Sequence, residues 1–121
     1  MDYQTNVKPL RAALYARVST KGLGQTPETQ LLPLRKYAAD RGFASVQEYV
    51  DVGYSGSTDR RPSLDRLMSD LRARRVDILV AWKWDRVFRS TRHAVNLLAE
   101  CRHLKIGFIS LTEQIDLTSP M

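Results

Sequence analysis

Three short polar clusters in this 121-residue sequence combine side chains that, brought together, would hold and attack a phosphate. ARVST carries Arg17, Ser19 and Thr20 at the end of an apolar run, GYSGSTDRR carries Ser55, Arg60 and Arg61, and WKWDRVFRS carries Asp85, Arg86 and Arg89. Arginine presents a planar fork of donors that matches phosphate oxygens two at a time. A serine hydroxyl becomes a nucleophile once its proton is taken, and an aspartate can handle that proton or orient an arginine. One serine, several arginines and one aspartate suggest phosphoryl transfer through a serine nucleophile. The guanidinium groups would then stabilise the charge that builds on non-bridging oxygens in an in-line transition state. No HxxxH or paired-carboxylate motif occurs, and His93 and His103 lie in one helical pattern at a spacing that does not make them adjacent ligands, so no metal or other cofactor is expected.

Each cluster also has a plainer reading. Tyr15, Arg17 and Ser19 stand at i, i+2 and i+4, so in an extended chain they share one face. A guanidinium is costly to bury without an anion, so Arg17 needs a carboxylate or a phosphate nearby. The plainer reading pairs it with an acid and leaves Ser19 and Thr20 as turn residues. The third cluster argues against that. Asp85, Arg86 and Arg89 lie at or near a helix start, where two arginines at i and i+3 repel each other and oppose the helix dipole. Stability does not explain them, whereas an anion would. An exposed basic face capped by Asp85 is the alternative, but the flanking Trp84, Val87 and Phe88 point to partial burial. Arg60 and Arg61 end a loop and would either close over a phosphate or remain solvated charge.

The elements that must position these residues alternate. LRAALYARVS, with β-branched and aromatic residues and no breaker, reads as a buried strand, and SVQEYVDV, VDILVAW and IGFISLT read as three more. Between them, TPETQLLPLRKYAADRG reads as a helix with Thr26 as cap, Pro27 opening it and Gly42 ending it. PSLDRLMSDLRARR and STRHAVNLLAECRHLK show helical apolar spacing, the first opened by Pro62. GYSGSTDRR has no period and reads as a mobile loop. The pattern implies an α/β fold: a mainly parallel central sheet, joined by right-handed crossovers and flanked by helices on both faces. Ligands of such sheets bind beyond the carboxyl ends of the strands, where all three clusters fall.

With 43% apolar residues, the chain has enough material for one domain and one core. The net charge of +6, carried mostly by arginine, fits a polyanionic partner or a merely basic surface. Cys101 is the one cysteine, which excludes an internal disulfide and a Cys-based zinc site; it reads as a small buried hydrophobe. No apolar stretch is long enough to span a bilayer and the start MDYQTNVKPLR is not a signal peptide, so a cytoplasmic protein is expected.

Over nearly its whole length the sequence resembles the serine recombinase family of resolvases, invertases and serine integrases. The resemblance rests on YARVST, Gln30 in the following helix, D-x-G-x-SGS in the loop, R-P-S-L opening the next helix, and K-W-DR-x-x-R after the third strand. It implies a resolvase-like catalytic domain in which Ser19 attacks a DNA phosphodiester, giving a 5′-phosphoserine link and a free 3′-hydroxyl, with rejoining that needs no ATP. It further implies that Arg17, Arg86 and Arg89 bind the phosphate, that Asp85 is the family's aspartate, and that Gln30 and Ser55 support the site; Tyr15 supports it by fixing, with its apolar neighbours, the strand that carries Arg17 and Ser19. Counting along the loop favours Arg61 over Arg60 as its phosphate ligand. The implied partners are DNA and further copies of the chain, a dimer and then a tetramer that cuts, exchanges and reseals strands; the implied setting is bacterial or phage-encoded.

Family members continue into a long dimerisation helix and a DNA-binding domain, while this chain stops at Met121. Residues 1–121 are therefore expected to form an isolated catalytic domain, folded but weak or inactive on DNA. A catalytically silent binding or regulatory module of the same ancestry is the alternative, against which the intact Ser, Arg and Asp set argues. A receiver- or flavodoxin-like signalling domain would want an acidic pocket or a flavin loop where this sequence has arginines.

Overall fold

The computed structural model describes residues 9–19, 26–53, 61–88 and 90–117, with only the backbone of Ser19. Strand β1 (Arg11–Ser19) leads to helix α1 (Glu28–Arg41), β2 (Ser45–Gly53), α2 (Pro62–Arg72) and β3 (Ile78–Ala81). A single turn of helix, α3 (Trp84–Val87), precedes α4 (Thr91–His103), and β4 (Gly107–Ser110) and β5 (Ile115–Asp116) complete the sheet. The strand order is β2-β1-β3-β4-β5; the first four strands run parallel and β5 is antiparallel to β4.

The apolar runs are nearly continuous because both faces of the sheet are covered. Ala12, Leu14 and Ala16 of β1 pack with Leu31, Leu34 and Ala38 of α1. Ala13 and Tyr15 face the other way, into a layer formed by Leu64, Leu67, Met68 and Leu71 of α2 and by Ala94, Leu97 and Cys101 of α4. From β1 the chain steps outward to β2, then returns across β1 to β3. With right-handed crossovers, this reversal moves the connecting helices from one face to the other. The boundary between β1 and β3 is thus a topological switch point, and ligands of such sheets bind beyond the carboxyl ends of the strands at that place.

Some boundaries depart from the sequence reading. Pro27, not Thr26, holds the N-cap position of α1, and no side chain caps it; Thr26 contributes its carbonyl, which accepts from Thr29 N at 3.2 Å. Gly42 ends α1 as expected, with φ 68° and its N–H directed to Ala38 O and Ala39 O. The helix start expected around Asp85 to Arg89 is two elements. After α3 the chain extends through the buried Phe88, and α4 begins afresh at Ser90, whose Oγ accepts from His93 N at 3.1 Å. The segment IGFISLT supplies β4 but also turns, with Gln114 at φ 56°, to add the short β5. Among the described residues no helix is long and apolar enough to cross a membrane.

Leu79 lies fully buried on the central strand β3. Leu79→Ala is expected to cost about 2–5 kcal/mol of stability, read as a lower urea midpoint. Cys101 is buried in α4, and burial followed by the Glu100 charge pushes its thiol up to about 11. The thiolate is the reactive form, so at pH 8 Cys101 should resist iodoacetamide in the folded protein and react once urea unfolds it, as mass spectrometry would show. Equal labelling in both states would mean that α4 opens readily.

Candidate active site

Tyr15, Arg17 and Ser19 lie along the second half of β1, towards the switch point, and β2 runs beside it in a register that sets Arg17 opposite Asp51 and Ser19 opposite Gly53. Asp51 is a buried carboxylate at the end of β2. It accepts from Tyr15 Oη at 2.7 Å, from Ser63 N at 2.9 Å and from Leu64 N at 3.0 Å. The last two are first-turn amides of α2, which lack partners within their helix. Ser63 Oγ donates in turn to Val50 O at 2.6 Å. One carboxylate therefore joins β1, β2 and α2. Burial, the hydrogen bond to Asp51 and the Asp51 charge push the Tyr15 phenol far above its usual range, although Arg61 and Arg17 oppose the shift. Tyr15 is a neutral donor at any ordinary pH, a brace rather than an acid or base.

Gln30 of α1 serves β1 differently. Pairing with β3 covers only Ala12 to Tyr15, so the strand runs on beyond its neighbour. There Gln30 Oε1 accepts from Arg17 N at 3.1 Å and Gln30 Nε2 donates to Arg17 O at 2.8 Å. The side-chain amide replaces a missing strand and holds the backbone two residues before Ser19 extended. The Arg17 guanidinium is half-buried, and among the described residues no hydrogen bond or ion pair holds it. The acid that the sequence reading wanted beside Arg17 is Asp51, its register partner, yet that carboxylate is committed to Tyr15 and α2.

Arg61, at the N-cap position of α2, is buried and reaches α3. Its Nη1 donates to Val87 O at 2.9 Å and to Arg86 O at 3.3 Å, so this part of the guanidinium braces the α3 backbone. Helix α3 packs against β1 and β3. It is anchored by buried Val87 and Phe88 and by Trp84, whose ring lies 4.5 Å from that of Phe88 and 5.7 Å from that of Phe108. Arg86 is half-buried, and its Nε is buried with no hydrogen-bond partner among the described residues. Asp85 is exposed and, among those residues, bonds to no arginine.

The structure thus gathers Tyr15, Arg17, Gln30, Arg61 and Arg86 around the ends of β1 and β3, with Asp85 on the outer side of α3. The side chain of Ser19, together with Ser55 and Arg89, lies outside the described residues. Sequence reasoning missed Asp51 as the anchor of the site. Its signal was an acid ending a strand just ahead of a serine-rich loop and a Pro-Ser helix start, which reads equally well as a turn residue.

Fold and strand-end chemistry define an α/β domain with an arginine-lined site at its switch point. The chain belongs to the serine recombinase family: the family model described as "Resolvase, N terminal domain" matches residues 12–121. It is 40% identical over 78 residues to "Serine recombinase gin" of Escherichia phage Mu, covering 64% of this chain and 39% of that protein. To "Transposon Tn917 resolvase" of Enterococcus faecalis it is 35% identical over 107 residues, covering 88% of this chain and 52% of the relative. The chain therefore spans about half or less of the length of these relatives. The crystal structure of the N-terminal catalytic domain of TP901-1 integrase superposes with a TM-score of 0.77 and 38% identity, covering 92% of this chain and 84% of that one.

Tyr15→Phe removes one donor from Asp51 and leaves two, so it is expected to cost about 1.5–3 kcal/mol in urea unfolding. Asp51→Asn puts an amide NH₂ against donors and should cost more. The reverse order would show that the carboxylate does not anchor this junction.

Proposed function

We propose that this domain carries out the strand cleavage and rejoining of a site-specific DNA recombinase, with Ser19 as nucleophile. The Ser19 hydroxyl gives up its proton and its oxygen attacks a backbone phosphorus. A Ser–O–P bond forms as the P–O3′ bond breaks, and the departing 3′-oxygen takes a proton. A 5′-phosphoserine link and a free 3′-hydroxyl result, and attack by a 3′-hydroxyl reverses the step without ATP because the ester bond is conserved. Arg17 and Arg86 hold the non-bridging oxygens, with Arg89 completing the set and Arg61 lending its positive charge from the base of α3. Asp85 handles a proton or orients an arginine once DNA is in place, while Ser55 supports the loop side.

The observation that carries this reading is the pair of cations with open donors at the switch point. Among the described residues, Arg86 keeps a buried Nε without a hydrogen-bond partner, and the half-buried Arg17, two residues before Ser19, has no ion pair with an acid. Buried donors left open are costly, and phosphate oxygens would fill them. The relatives named as recombinase and resolvase come from a phage and a bacterium. DNA is accordingly the proposed substrate, met in the cytoplasm of a bacterial host. If each copy cuts one strand, exchange between two duplexes needs four copies, so a dimer at each site joins into a tetramer.

The test joins the chain to a DNA-binding module and offers that module's target flanking a nicked duplex, from which the cut strand can diffuse. Mass spectrometry is expected to find DNA attached to Ser19, and nothing in Ser19→Ala. Arg17→Ala and Arg86→Ala should each slow adduct formation by on the order of 10²–10³. An adduct undiminished in Ser19→Ala would overturn the proposal.

A further inference from the structure

The turn between β4 and β5, residues 111–114, is stitched to the segment that follows β3. Leu111 N donates to Ala81 O and Thr112 N to Trp82 O, each at 3.0 Å, and Thr112 Oγ1 donates to Trp82 O at 2.8 Å. Glu113 reaches further. Its Oε1 accepts at 3.0 Å from the backbone N–H of Trp84, the first residue of α3. Lys83 at the N-cap position offers no side-chain cap, so a carboxylate from a turn 29 residues away takes that part. The same Oε1 accepts from Thr112 Oγ1 at 3.2 Å and from the hydroxyl of the fully buried Ser110. Burial pulls the Glu113 carboxyl upward, but the bonds from Ser110, from Trp84 N and from Thr112 outweigh it and hold the group below the usual carboxylate range.

Helix α3 is held by charge at both ends. The Glu113 carboxylate meets its amino end and the Arg61 guanidinium meets the carbonyls of Arg86 and Val87 at its carboxyl end, each matching the sign of the helix dipole. Four residues cannot sustain a helix alone, so these contacts decide where α3 lies.

We propose that Glu113 is a positioning residue for the cleavage reaction: by capping α3 it sets Arg86 near the end of β1. The inference rests on the function proposed for that site. Its test uses the same chain joined to a DNA-binding module, with Glu113→Ala, Glu113→Gln and, as a control on an exposed ion pair, Glu100→Gln. Glu113→Ala should slow formation of the Ser19 adduct by on the order of tenfold to a hundredfold while DNA affinity stays unchanged. Amide hydrogen exchange at Trp84 to Val87 should quicken. Glu113→Gln keeps an acceptor for Trp84 N and should recover part of the rate, and Glu100→Gln should behave as the parent does. Parental adduct rates in both Glu113 variants, or a loss that follows the urea midpoint in both, would overturn the role. If the parent chain itself forms no adduct, the proposed function fails and the exchange measurement still decides: unchanged exchange at Trp84 in Glu113→Ala overturns the positioning role as well.

Discussion

A buried carboxylate with all its bonding directed at three different elements constrains the rest of this structure. Burying the Asp51 carboxylate without hydrogen-bond donors would be costly, and its donors come from the Tyr15 side chain of β1 and the open amides of α2. Satisfying them fixes the register of β1 on β2 and seats the first turn of α2 at the end of the sheet. Arg61 stands immediately before that turn and is carried into place with it, so that its Nη1 meets the carbonyls of α3. The site is thus assembled in sequence, from Asp51 to α2, from α2 to Arg61, and from Arg61 to the segment bearing Arg86.

The arginines divide by what holds them. Arg11 is bound to Asp77, Arg35 to Glu28 and Glu48, and Arg72 to Glu100, all at or near the surface, where such pairs contribute little. Arg61 is spent in part on backbone carbonyls. Arg17 and Arg86, at the switch point, are half-buried, and among the described residues no hydrogen bond holds the Arg17 guanidinium or the Arg86 Nε. The net positive charge by itself says only that an anion is welcome. The distribution of partners supports the switch point as the place proposed for it.

The alternation of strands and helices was legible because burial on both faces leaves long apolar runs, and because Pro62 and Gly42 mark helix ends by fixed backbone preferences. Helix α3 and β5 were not legible: four and two residues are too few to show a period. Tyr15 and Arg17 could be placed on one face from strand geometry, and Gln30 from family resemblance. What Gln30 does, standing in for a strand along Arg17, depends on β3 ending earlier than β1, which no local pattern records. Asp51 escaped for a related reason. Its partners are a phenol 36 residues back and two backbone amides, and backbone amides carry no sequence signature.

These dependencies make α3 the adjustable part of the site. A single helical turn has little cohesion of its own, so its position follows from an aromatic cluster beneath it and from Arg61 and Glu113 at its ends. Shifting such an element disturbs a few contacts, far less than unfolding α2 or β3 would, and such local rearrangements are the ones a folded domain makes most readily. β1, by contrast, is pinned on one edge by β2 and on the other by β3 and then Gln30. For the proposed chemistry, a rigid strand carrying the nucleophile faces a small element carrying a phosphate-binding arginine. In that proposal an arriving oxyanion supplies the acceptor that the Arg86 Nε lacks among the described residues, so binding and the placement of α3 would favour each other.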